Sequence, residues 1–171
     1  MSIRLFYDQW PTYNERIIEV VREMSPEQLA IRPAPSRWPV WATAGHIAGV
    51  RVYWLCGFLG ESGAETTPWP DKGMDLLWED VEDHSRTAGE LVTALETSWR
   101  LIDRCLDQWT PEKMGERFSR DMGDRLQWHT RTSVLQRLFT HDAYHCGELS
   151  QTLGIESLPQ IDLWTVRLNQ P

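Results

Sequence analysis

Val81, Ala88, Leu95, Ile102 and Trp109 follow one another at intervals of seven, and Ser85, Val92, Trp99 and Leu106 form a second row with the same spacing. A repeat of about 3.5 residues sustained over that length demands a helix packed at a shallow angle against neighbouring helices with a left-handed supercoil. It favours an antiparallel bundle, with this helix starting near Asp75.

The remaining helices read from the same logic. Ile3, Phe6, Trp10, Tyr13, Ile17, Val21 and Met24 recur at threes and fours, one buried helical stripe, with Pro11 either kinking it or marking its true first turn. "SPEQL" restarts a short turn capped by Ser25, "RPAPSRWPV" is an ordered loop, and a second helix spans about Pro39 to Leu59. "GESGAETTPWPDKG" is dense in turn formers and reads as a surface connection. In "ERFSRDMGDRLQWH" two partly alternating arms flank Met122 and Gly123, the pattern of a short hairpin. A last helix from about Thr132 to Leu153 stops at Gly154, and the apolar tail packs back on the domain. The expectation is one all-α domain over residues 1–171, a four-helix bundle with a short hairpin before the last helix.

Composition excludes several function classes. With 17 Lys and Arg against 25 Asp and Glu, the formal charge of -8 repels phosphate backbones and anionic lipid, so nucleic acid is not an expected partner. No run approaches the roughly 18 to 20 apolar residues of a membrane span, and "MSIRLFYDQW" lacks the apolar core of a signal peptide. A soluble cytoplasmic protein is expected. Cys56, Cys105 and Cys146 are scattered and odd in number, as befits free buried thiols. Ten tryptophans must each bury a large ring, and several are expected to line a pocket or a subunit interface.

Chemistry concentrates in "HDAYHCGEL". Leu138, His141, His145, Leu149 and Thr152 share one helical stripe, so both imidazoles point where the leucines point. Two histidines one turn apart can bind one ion, or they can be core residues satisfied by backbone or carboxylate. His46 shifts the balance: it lies mid-helix among Ala42, Ala44, Gly45, Ala48 and Gly49. If the second and last helices are adjacent, His46, His141 and His145 supply three nitrogens and leave positions open for water or substrate. Three inward imidazoles without an ion would be a costly core.

The segments "RWPVWATAGHIAGVRVYW" and "LFTHDAYHCGELSQTLG", in this order and separation, make nearly the whole chain resemble the DinB/YfiT-like superfamily of bacterial metal-dependent enzymes. The resemblance assigns His46, His141 and His145 to the family's metal triad and Gly147 to the glycine after its last histidine. It implies an up-down-down-up four-helix bundle, a homodimer, and a divalent ion such as zinc or nickel. Some relatives are thiol-dependent transferases or isomerases that use bacillithiol, mycothiol or glutathione. The expected function is therefore thiol S-transfer, with a low-molecular-weight thiol activated at the three-histidine site to attack a small-molecule electrophile.

Other residues carry weaker readings. Glu148 shares the histidine stripe and is a fourth ligand, a general base, or a hydrogen-bonding residue at the pocket rim. Asp142, rotated off that stripe, either supports His46 or forms an ordinary ion pair. Arg51, Tyr53 and Arg137 are candidates for holding an anionic thiol or substrate. His84 reads as solvated among carboxylates, His129 as a loop or cap residue, and Cys146 as facing away from the histidines. "HDAYH" also approaches the zincin motif, which makes a metal-dependent hydrolase the alternative; a non-catalytic, metal-binding dimeric stress-response module is another.

Overall fold

The computed structural model describes residues 2–82 and 84–165. Helix α1 runs Trp10–Arg22, α2 Pro26–Leu29, α3 Val40–Val52, α4 Ala88–Gln108, α5 Pro111–Met114 and α6 Arg131–Ile155, with strands β1 Arg117–Asp121 and β2 Leu126–Thr130 between the last two. Pro11 sits in the first turn of α1, where its missing N–H has no intrahelical partner to lose. The apolar residues before it form a separate 3-10 turn, Ile3–Tyr7. Ser25 caps α2 as expected, its hydroxyl accepting from the Gln28 N–H while the Gln28 side chain accepts from the Ser25 N–H.

Every residue of α3 is buried except His46, which is half-buried; a helix buried on all sides belongs at the centre of a core. It packs against α4 and α6, and α1 packs against α4. Beyond Val52 the helix widens into a π-helical turn, Tyr53–Phe58, closed by the Leu59 N–H donating to the Trp54 carbonyl at 3.0 Å.

The third long helix departs from expectation. It begins at Ala88, not near Asp75, because Thr87 is extended and caps it in a reciprocal box with Glu90. Leu95, Ile102, Trp109 and Leu106 do face the core, but Val81 and Ser85 lie outside the helix. The residues before Thr87 instead cross α3. An added Cβ at Gly45 would meet the Trp78 ring at 2.9 Å, and one at Gly49 would meet Leu77 at 2.8 Å. The small residues of "ATAGHIAG" therefore seat this crossing segment as well as leaving room beside His46.

The hairpin forms with Phe118 opposite His129 and Arg120 opposite Gln127, its tip turned by Gly123 at φ 84°. Thr130 ends β2 and caps α6, accepting from the Ser133 N–H at 3.1 Å. Helix α6 continues one residue past Gly154, where an added Cβ would meet the Gln160 side chain at 2.8 Å. The tail returns as expected: Ile161 is buried and its N–H donates to Ser150 at 3.0 Å. The end of the predicted tail, 166–171, lies outside the described residues.

All three cysteines are free and buried. Burial pushes the Cys56 thiol up to about 11 and those of Cys105 and Cys146 up to about 12, so none supplies a thiolate at neutral pH. Among the described residues no helix is long and apolar enough to cross a membrane.

Candidate metal centre

Helices α3 and α6 bring their histidines together. One ring nitrogen from each of His46, His141 and His145 lies within 4.8 Å of the others, a spacing that could hold a metal ion. Ring centroids are 4.8 Å apart for His46 and His141, 4.9 Å for His46 and His145, and 4.4 Å for His141 and His145. Nitrogens bound tetrahedrally to one zinc at about 2.0–2.1 Å stand about 3.3 Å apart. The observed His46 Nε2 to His141 Nε2 separation of 2.9 Å already approaches that value.

The outer nitrogens show how the rings are held. His46 Nδ1 pairs with Glu79 Oε1, and His145 Nδ1 pairs with Glu148 Oε2 at 2.7 Å. A carboxylate on Nδ1 fixes the proton there and leaves the Nε2 lone pair facing the centre. His141 Nδ1 is buried without a hydrogen-bond partner among the described residues, as is the second oxygen of Glu79. Burial and the neighbouring imidazoles push His141 down to about 3. Burial also lowers His145, against the opposing pull of Glu148. His141 is thus neutral at physiological pH and His145 is shifted toward its neutral form, and only neutral imidazole coordinates. The donor set fits a divalent ion.

Glu79 was invisible to sequence reasoning. It sits in the 3-10 turn Trp78–Asp80, in a stretch that reads as helix three, and its side chain is 4% exposed. Nothing local indicates that it reaches back to α3; only the fit of Trp78 against Gly45 delivers it there.

Asp142 belongs to a different structure. It accepts from Arg51 Nη2 at 2.7 Å and from the Trp10 indole N–H at 2.9 Å, and Arg51 also donates to Asn14 Oδ1 at 2.8 Å. Arg51 is completely buried, so it cannot meet a ligand from solvent. This is the ordinary ion-pair reading of Asp142, and Glu79 occupies the position beside His46. Cys146 lies in the core, off the histidine face. His84 is exposed, Gly147 faces open space, and His129 is a strand residue flanked by Trp54 and Phe58.

A cavity of about 600 Å³, within the range of small-molecule sites, reaches the cluster at His145. Its walls include Arg37, Trp38, Thr43, Tyr144, His145 and Glu148. Trp38 lies against His46 at 4.9 Å and Tyr144 meets the His145 edge at 5.0 Å. Hydrogen bonding to Glu148 raises the Tyr144 phenol.

The model of the DinB superfamily matches residues 12–149, which span all three histidines. The chain belongs to the DinB superfamily. A solved DinB-like protein from Bacillus cereus ATCC 10987 shares the fold at a TM-score of 0.66 and 16% identity, over 95% of this chain and 98% of that one. No curated protein is matched by the sequence.

Proposed function

We propose that this member of the superfamily is a divalent-metal-dependent enzyme of the thiol S-transferase type, with His46, His141 and His145 as the ligands. In this reading α1, α3, α4 and α6 are the four helices of an up-down-down-up bundle. The observation that carries the proposal is the convergence of three imidazole nitrogens, one of them on His145 in the wall of a cavity of small-molecule size. A divalent ion such as zinc or nickel held there keeps its full charge, and so favours a thiolate or hydroxide at neutral pH.

The chain's own groups supply the rest. Glu79 and Glu148 orient two of the rings. Trp38 and Tyr144 present aromatic rings in the cavity wall for a substrate to pack against. Glu148, with its side chain 43% exposed at the wall, is the candidate base for the thiol proton in this reading. The sulfur electron pair forms a bond to an electrophilic carbon of the second substrate. The leaving group departs with its own bonding pair.

The test is a panel of low-molecular-weight thiols and electrophiles offered to protein loaded with zinc or nickel. Metal-dependent, thiol-stimulated loss of electrophile supports the proposal. Metal-dependent ester hydrolysis without thiol would instead favour a hydrolase using Glu148 as base, and no turnover in either assay would favour a binding module.

A further inference from the structure

The hairpin presents a second cluster at the opposite end of α3 from the cavity. Strand side chains alternate, and Phe118, Arg120, Gln127 and His129 form the inward face of β1 and β2. That face lies against the π-helical turn that ends α3. Trp54 stands at its middle: the Arg120 guanidinium is 5.7 Å from its ring centre, the Arg137 guanidinium 4.9 Å, and the His129 ring 5.0 Å.

Two cations thus gather on one indole in a chain whose net charge is -8, and neither has a carboxylate within ion-pair distance among the described residues. Arg131, by contrast, is fully paired with Glu61 and Glu116. The donors outnumber the acceptors. Arg120 Nη1 donates to Tyr53 Oη at 3.1 Å and its Nε to the Met122 sulfur at 2.9 Å, which leaves its other N–H groups and the Tyr53 hydroxyl hydrogen unspent. His129 Nε2 is buried with no hydrogen-bond partner among the described residues. Both guanidinium groups lie within cation–π distance of the Trp54 ring, a contact that does not neutralise their positive charge.

We propose that Arg120, Arg137, Tyr53 and His129 form a binding site for a small-molecule oxyanion, the carboxylate or phosphate of an acidic metabolite. A guanidinium fork matches the geometry of such a group, and two of them gather at the same indole. The overall negative charge and the small number of cations argue against a polyanion. Arg137 precedes His141 by one turn of α6, about 6 Å along the axis. A short acid anchored here would extend toward the triad. That link rests on the metal-site reading above, whereas the oxyanion site itself does not.

The experiment uses the full chain stripped of metal by chelation, with ionic strength held constant by chloride. Arginine Nε–Hε resonances are followed by NMR while inorganic phosphate, and separately acetate, is added. The expected result is that Arg120 and Arg137 shift together on one saturating curve, while Arg100 and Arg125, exposed like Arg137 but outside the cluster, do not. R120Q and R137Q should each weaken that curve about tenfold or more, and R120K and R137K should weaken it less. The stronger of the two probes identifies phosphate or carboxylate as the ligand group. Equal, unsaturating shifts at all four arginines would overturn the proposal, as would saturation unchanged by R120Q and R137Q. If the glutamine variants do not fold, the wild-type titration alone decides.

Discussion

Replacing Glu79 tests whether a residue distant in sequence holds the metal site in shape. Its carboxylate fixes His46 Nδ1, and its second oxygen is buried and unpaired. Loss of such a carboxylate behind a metal-binding histidine weakens ion affinity about 10- to 100-fold, or about 1.4–2.7 kcal/mol. At saturating zinc that deficit appears in full as lost ligand stabilisation, so the melting-temperature gain on adding zinc should shrink by about 3–11 °C for a domain of this size. The metal-free protein should behave differently. Glu79→Gln keeps an acceptor for the imidazole N–H and replaces a buried carboxylate with a neutral amide, so its metal-free melting temperature should stay within about 2–4 °C of wild type. Melting with and without zinc, together with competition against a chromophoric chelator, separates the two terms. Unchanged affinity in both Glu79→Gln and Glu79→Ala would refute the role. So would equal losses in the metal-free and loaded forms, which would make Glu79 a packing residue only.

Asp142→Ala should destabilise by about 3–5 kcal/mol, because it strands the fully buried Arg51 and the Trp10 indole N–H. Thermal melts should show it, and the paired change Arg51→Met with Asp142→Leu should recover most of the loss. Gly45→Ala places a methyl group 2.9 Å from the Trp78 ring and should weaken zinc binding by displacing Glu79, a change read by chelator competition at unchanged helix content. In metal-free protein the lowered His141 makes stability greatest above its usual value of 6.5. As pH falls from there toward about 3 the unfolded chain binds a proton that the folded chain refuses, and stability declines by up to about 1.4 kcal/mol per pH unit. Urea midpoints at several pH values should flatten in His141→Gln relative to wild type.

Much of this was legible in the sequence where the signals are periodic. Spacing on one stripe of α6 is enough to pair His141 with His145, and the small residues around His46 are enough to leave room beside its ring. Turn chemistry correctly set Ser25 and Gly123 at element boundaries, and of the two readings of Pro11 the first-turn one holds. What failed was the heptad row before Ala88. Val81 and Ser85 continue the count of sevens, but the capping box of Thr87 and Glu90 is a stronger local signal and ends the helix. With that error Glu79 was misplaced, since its role depends on tertiary seating rather than on any neighbour in the chain. Arg51 misled for the opposite reason: a charged residue near the ligand helices reads as a substrate contact, and only burial shows that it is spent on Asp142.

Elemental analysis of protein purified without a nickel column is the most direct test of the triad. The account predicts about one divalent ion per chain in the wild type, and loss of that ion in His46→Ala, His141→Ala and His145→Ala alike, with helix content largely kept. Full occupancy retained in His46→Ala, or a wild type that takes up no ion when offered zinc or nickel, would contradict it.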